Sequence, residues 1–153
     1  MRVPLAASRF WSAILFALAV AFAAAPTQAM PIHLEDGIAG DGYDTVAYFA
    51  EGKAIKGDAK FQHIWSGAKW NFSTAANRDL FAADPEKYAP QYGGFCAYGV
   101  SYGAKPKGSG EAWHIHKGKL YFNYNSAIRV LWRTDIPGYI TKADANWPQI
   151  KDR

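Results

Sequence analysis

The segment FQHIWSGAKWNF, residues 61–72, consists of two runs of alternating side chains on either side of the turn pair Ser66-Gly67. A two-residue turn between such runs predicts a β-hairpin. Because successive strand side chains point to opposite faces, one face collects three cross-strand pairs: Trp65 with Ala68, His63 with Trp70, and Phe61 with Phe72. We expect this face to be buried, with His63 among aromatic rings.

A second hairpin is indicated at residues 113–122, WHIHKGKLYF, with Lys117-Gly118 as its turn. Its register gives an apolar face, which pairs Ile115 with Leu120 and Trp113 with Phe122. It also gives a polar face, which pairs His116 with Lys119 and His114 with Tyr121. A slip of one residue would ruin the faces of both hairpins, so the pattern favours this register.

Short helices are predicted around the hairpins, because capping residues and prolines interrupt the intervening sequence. Their expected positions are Ser73 as the N-cap of a helix to about Ala83, Pro85 at the start of a second turn, Asn125 as the next N-cap, and Pro137 at the start of a last turn or two. The stretch Tyr43–Phe49 reads as a first strand or an extended lead-in. These elements predict an α+β fold: a small antiparallel sheet built from two β-hairpins, packed with three or four short helices.

Residues 1–29 have the features of a cleaved secretory signal peptide. Arg2 and Arg9 precede an apolar run of 15 residues, Trp11–Ala25, and Thr27-Gln28-Ala29 offers small residues for the peptidase. The run is shorter than the roughly 20 residues of a spanning helix, so no stable membrane anchor is expected after cleavage. We therefore expect a periplasmic or secreted protein with an irregular arm at residues 30–42 and a single domain at residues 43–150.

Composition excludes several classes of protein. The chain of 153 residues carries 24 aromatic residues and is half apolar, which excludes a disordered chain. Cleavage removes two of 17 basic residues and none of 13 acidic ones, leaving a formal charge of +2. That charge is too small to indicate nucleic-acid binding. One cysteine cannot form an internal disulfide or a Cys-x-x-Cys pair.

The candidate site lies in residues 91–103, QYGGFCAYGVSYG, which hold the single cysteine, Cys96, among four glycines. Cys96 is a candidate thiolate for metal binding, redox chemistry or nucleophilic attack. The alternative is a small buried apolar residue, since free cysteine is among the most buried residue types. Tyr92, Gly93, Gly94 and Tyr98 are candidate ligand-binding residues, because tyrosine rings can stack on a ligand and glycine permits close approach.

Three histidines are further candidate metal ligands. His114 and His116 leave the same face of a strand, a spacing that suits Zn²⁺ or Cu²⁺, although Lys119 beside them disfavours a cation. His63 on the predicted core face is either a ligand or a hydrogen-bonded core residue. No Gly-x-Ser-x-Gly, His-Glu-x-x-His or P-loop motif occurs in the sequence.

Three segments in order resemble the YHS domain family, in its longer secreted branch: GYDTVAYF at 42–49, SGAKWNFS at 66–73 and NRDLFAADPEKYAPQYGG at 77–94. The resemblance covers roughly residues 43–147 and implies an α+β module. Short members of the family accompany heavy-metal pumps and some oxygenases, and are thought to bind metal through cysteines. Those cysteine positions fall here on Ala47, Ser73 and Asn77. Some members of the longer branch are selenoproteins, and the resemblance places selenocysteine at the position of Cys96.

The sequence thus supports three functional hypotheses. The first is an exported binding module that holds a soft metal, copper or zinc, through Cys96 and a nearby histidine such as His63. The second is a domain that binds a protein partner or small ligand while Cys96 only packs. The third is a thiol redox enzyme, in which Cys96 would need an external resolving thiol.

Overall fold

A computed structural model describes residues 29–153. It is 43% helical and 28% strand, which confirms the predicted α+β class. The predicted signal peptide lies outside the described residues, except for its last residue. Within residues 29–153, no helix combines the length and the apolar character needed to cross a bilayer.

The first sheet has four short strands, in the order β1-β2-β4-β3. They are β1 (Leu34–Glu35), β2 (Ile38–Ala39), β3 (Asp58–Trp65) and β4 (Ala68–Phe72). The predicted hairpin β3-β4 is confirmed near its turn, where Trp65 pairs with Ala68 and His63 with Trp70. The predicted pair of Phe61 with Phe72 is wrong, because an irregularity between Asp58 and Gln62 shifts the register and places Asp58 opposite Phe72.

The segment 30–42, expected to be irregular, joins this sheet. Asp36 and Gly37 both have positive φ, at 51° and 79°, and turn β1 back onto β2. An Asp-Gly pair is a strong hairpin signal, so this turn could have been found in the sequence. Strand β2 then pairs in parallel with β4, with Ile38 opposite Lys69, and a 3-10 helix follows at Gly40–Gly42.

The stretch Tyr43–Phe49 is not the predicted strand, since helix α1 occupies Ala47–Ala50. The Asp44 carboxylate causes this difference. Its Oδ1 accepts hydrogen bonds from the backbone N–H groups of Val46 (3.0 Å) and Ala47 (3.1 Å). Amides held in this way at a helix start favour helix over strand.

The helices α2 (Ala75–Ala83), α3 (Pro85–Tyr88) and α5 (Ser126–Trp132) confirm three predicted helices. The N-cap of α2 is Thr74 and not the predicted Ser73, because the Ser73 hydroxyl is bound to Asp44 at 2.6 Å. Asn125 caps α5 as predicted. The last helix, α6 (Ile136–Ile150), has 15 residues and is longer than the predicted turn or two.

The second hairpin, β5 (Ser109–His116) and β6 (Lys119–Asn123), forms a separate two-stranded sheet with all four predicted pairs. The predicted polar face is nevertheless wrong, since Tyr121 is only 3% exposed. The Trp132 ring of α5 covers this face, with its centroid 5.3 Å from Tyr121 and 5.7 Å from His114. Both faces of the hairpin are therefore partly buried.

Candidate functional site

The glycine-rich segment 91–103 is more regular than expected. A 3-10 helix occupies Gln91–Gly94, and helix α4 occupies Ala97–Ser101. Cys96 is the N-cap residue of α4 and bridges to Phe122 of β6. The segment thus fixes Cys96 against the second sheet.

The Cys96 side chain is sealed from solvent, with 1% exposure. Its Sγ accepts a hydrogen bond from the Gly99 N–H at 3.4 Å and lies 3.9 Å from Oδ1 of Asn123. Burial raises the pKa of the Cys96 thiol, although backbone N–H groups of Gly99, Tyr124 and Tyr98 oppose that rise. The group is therefore held as a thiol, not as a thiolate.

Alkylation should show this protection directly. We expect iodoacetamide to modify Cys96 of the folded protein far more slowly than it modifies a free thiol at pH 8, because the sulfur is both buried and protonated. In denaturant, the same thiol should react at the ordinary rate. Mass spectrometry of timed samples measures both rates, and rapid modification of the folded protein would contradict this placement of Cys96.

The surroundings of Cys96 do not fit a copper or zinc ion. In the described part of the chain, no three His, Cys, Asp or Glu side chains form a group that could hold a metal. Cys96 lies against β6 of the second sheet, whereas His63 lies on β3 of the first sheet with its ring 6.0 Å from Phe81. The two predicted ligands thus pack against different sheets.

His114 and His116 lie on one face of β5, next to cationic groups. Burial lowers the pKa of His114, and Arg133, His116 and Arg129 lower it further. The imidazole is half-buried and packs edge-on against Trp132. Such a neighbourhood favours a neutral ring and repels an added cation.

Acidification should therefore lower the free energy of unfolding, because His114 must be protonated. In the unfolded chain this imidazole takes up a proton as pH falls through about 6.5, whereas in the folded protein it does so only at lower pH. The free energy of unfolding should fall with pH across that window, by less than about 1 kcal/mol because the ring is partly solvated. We expect His114→Gln to lose less free energy of unfolding than the wild type between pH 7 and 5, as measured by urea titration. Identical pH profiles for both proteins would contradict the assignment.

A cleft lies between the second sheet, α6 and the segment around Pro90, and consists of two cavities that share Lys119. The first cavity, of about 390 Å³, is lined by Tyr92, Trp147, Glu86, Asp144 and Pro90. The second, of about 250 Å³, is lined by His116, Lys117, Tyr121, Ile140 and Thr141. We refer to the two together as the cleft.

Three aromatic side chains form the wall of the cleft. The Tyr92 ring lies 5.7 Å from Trp147 and 6.0 Å from Tyr121, measured between centroids. The Tyr92 hydroxyl donates to Oδ1 of Asp144 at 2.8 Å. Burial, followed by this carboxylate, raises the pKa of Tyr92, and the same two causes raise the pKa of Tyr121 to about 12. Both hydroxyls remain protonated donors at neutral pH.

Of the four predicted ligand-binding residues, only Tyr92 lines the cleft. Gly93 holds the N-terminal arm, because its carbonyl accepts from the His33 N–H at 2.9 Å and a Cβ on it would collide with the Pro31 carbonyl. Gly94 packs near Phe122. Tyr98 stacks outside the cleft with two other tyrosines, Tyr102 and Tyr139, each at 5.1 Å.

Sequence reasoning missed the other cleft residues. Trp147 and Asp144 lie on α6, and Lys119 follows the turn of the second hairpin. None of them belongs to a local motif, because they meet only when α6 packs beside β6. The apolar periodicity of α6 was the available signal, and it indicates a buried face without indicating a cleft.

Comparison with known proteins gives one match. Residues 46–92 match the family model of the YHS domain, which is less than the expected 43–147. A search of curated proteins and a search of solved structures found no match to the chain. Glu86 and Tyr92 of the cleft fall within the matched residues, whereas Lys119, Asp144 and Trp147 lie beyond them. The similarity to the YHS domain thus covers residues 46–92, and the cleft combines residues of that segment with residues outside it.

Proposed function

We propose that the chain is an exported binding module, a single domain over residues 43–150, whose ligand occupies the cleft. The supporting observation is the convergence of an aromatic wall and charged side chains on one concave surface. A partly apolar pocket with a few converging polar groups is the usual form of a small-molecule site. This proposal corresponds to a domain in which Cys96 only packs.

The size of the cleft suits a small ligand. The larger cavity has a volume of about 390 Å³, which lies at the lower end of the range of roughly 300–1,000 Å³ for ligand pockets. Tyr92 is 6% exposed, so its ring is held by packing and presents a fixed surface. A rigid aromatic wall lowers the entropy cost of binding.

A fragment screen tests the proposal. Small soluble compounds are screened by ligand-observed NMR, and hits are then measured on Trp147→Ala and on Tyr102→Ala. Trp147 lines the cleft, whereas Tyr102 is an exposed ring outside it and serves as a matched control. We expect the first variant to weaken hits by about tenfold or more, a loss of about 1.4 kcal/mol, and the second to leave them unchanged. Hits that bind Trp147→Ala with the same affinity as the wild type would overturn the proposal.

Export is supported by the sequence features of residues 1–29. N-terminal sequencing of the protein recovered from the medium or periplasm of its own host tests this part. We expect the chain to begin at Met30, after the small residues of the cleavage site. An intact N-terminus on the recovered protein, or its retention in the cytoplasm, would overturn export without affecting the cleft.

Soft-metal binding at Cys96 is a separate proposal, and its support is the YHS domain, which is consistent with a metal-binding module. Among the described residues, the Cys96 sulfur is sealed from solvent and belongs to no group of three potential metal ligands. Titration with Cu(I), compared between the wild type and Cys96→Ala, tests it. A much weaker affinity of the variant would support the metal role, and equal affinities would exclude it.

A further inference from the structure

The cleft carries carboxylates in its first cavity and ammonium groups in both. Glu86 and Asp144 line the first cavity, Lys117 lines the second, and Lys119 lines both. Among residues 29–153, none of these four side chains forms an ion pair within 4.0 Å. Asp144 uses only Oδ1, as acceptor for the Tyr92 hydroxyl. The charges are thus available to a ligand.

The first cavity has the chemistry of an ammonium site. Two carboxylates line it with the one ammonium group of Lys119, so negative charge is in excess there. The rings of Tyr92 and Trp147 also line it, and aromatic faces attract cations through the ring quadrupole. The Tyr92 hydroxyl also orients Asp144, because it fixes one carboxylate oxygen. An ammonium group can pair with the carboxylates while its carbon chain contacts the rings.

The second cavity has the chemistry of a carboxylate site. The ammonium groups of Lys117 and Lys119 and the imidazole of His116 line it, together with the protonated hydroxyl of Tyr121. All of these groups can donate hydrogen bonds to an anion, and a charged donor makes such a bond stronger. Ile140 provides an apolar contact beside them.

We infer that the cleft binds a short peptide with free termini. Its ammonium group lies between Glu86 and Asp144, and its carboxylate lies at Lys117 and Lys119. A single amino acid carries both charges on one carbon, whereas a peptide of two or three residues separates them and therefore suits two adjoining cavities. This inference rests on the proposed function, because it assigns the ligand of the same cleft.

Calorimetry with four related probes tests the inference on the purified protein. The probes are trialanine with free termini, its N-acetyl form, its C-terminal amide, and the form capped at both ends. We expect the free peptide to bind best, each cap to weaken binding by about threefold or more, and the doubly capped form to bind least, since exposed ion pairs contribute up to about 1 kcal/mol.

Charge-removing variants show which end binds where. Glu86→Gln should weaken binding of the C-terminal amide, which keeps the free ammonium group, but not of the N-acetyl form. Lys117→Gln should weaken binding of the N-acetyl form, which keeps the free carboxylate, but not of the C-terminal amide. Glu51→Gln and Lys53→Gln, which remove exposed charges near α1, are matched controls and should change neither.

The outcomes separate this inference from the proposed function. Equal binding of all four probes, or no dependence on Glu86 and Lys117, would overturn the dipolar ligand. If no probe binds while screened fragments still require Trp147, the peptide inference fails and the binding cleft stands. If fragment binding is also unaffected by Trp147→Ala, both the peptide inference and the binding cleft fail.

Discussion

Replacing Asp44 with alanine is expected to lower the free energy of unfolding by about 3–5 kcal/mol, because several donors lose their acceptor and each unsatisfied buried donor costs about 1–3 kcal/mol. Asp44 is fully buried and accepts five hydrogen bonds. The donors are the backbone N–H groups of Val46, Ala47 and Ser73, the Ser73 hydroxyl and the Asn77 side-chain amide. The carboxylate thereby joins α1, the end of β4 and α2. Alanine would leave all five donors without this acceptor, and three of them are buried.

Urea unfolding followed by circular dichroism measures this effect. Asp44→Asn is the informative companion, because its amide keeps one acceptor oxygen and turns two N–H donors toward existing donors. We therefore expect it to destabilise the protein as well. Asp79→Ala is the control, since Asp79 is exposed and pairs only with the neighbouring Arg78. Equal midpoints for Asp44→Ala and Asp79→Ala would show that the five bonds do not stabilise the fold.

Replacing Phe81 with alanine is expected to cost about 3–5 kcal/mol, the usual range for a fully buried phenylalanine. Phe81 is 0% exposed and is the centre of the core of the first sheet. Its ring lies within 6.0 Å of four other rings: His63, Trp65, Trp70 and Phe72. Removing it leaves a cavity that these rigid neighbours cannot fill, so both the apolar contacts and the packing are lost.

Leu80→Ala provides a control on the same helix. Leu80 is 48% exposed, so its truncation should cost less than about 1 kcal/mol. Both variants are compared with the wild type by urea unfolding at one pH. A cost for Phe81→Ala no larger than that of Leu80→Ala would mean that the first core is not packed around Phe81.

Stability and binding are separable in this protein. Phe81 lies within the residues that match the YHS domain, and Asp44 lies just before them. The cleft takes Trp147 and Lys119 from beyond that match. Variants of the first pair should therefore lower stability, whereas the charge variants should act on ligand affinity. Trp147→Ala should lower both, because Trp147 also packs against the second core.

Local elements were predictable from the residues alone. The registers near both hairpin turns follow from alternating side chains and from the turn pairs Ser66-Gly67 and Lys117-Gly118, which are neighbours in sequence. The capping by Asn125 and the break at Pro85 are equally local, because each depends on groups within a few residues. Such features require no knowledge of distant segments.

The tertiary structure decided the features that depend on distant partners. Ser73 lost its expected capping role because Asp44, remote in sequence, bonds to its hydroxyl. Tyr121 became buried because α5 covers its face, and Cys96 became sealed because α4 docks on β6. The cleft exists only where α6 packs beside the second sheet. Alternation, turn pairs and caps act over a few residues, and therefore the sequence alone determined the hairpins and short helices, while packing between distant segments determined where a ligand can bind.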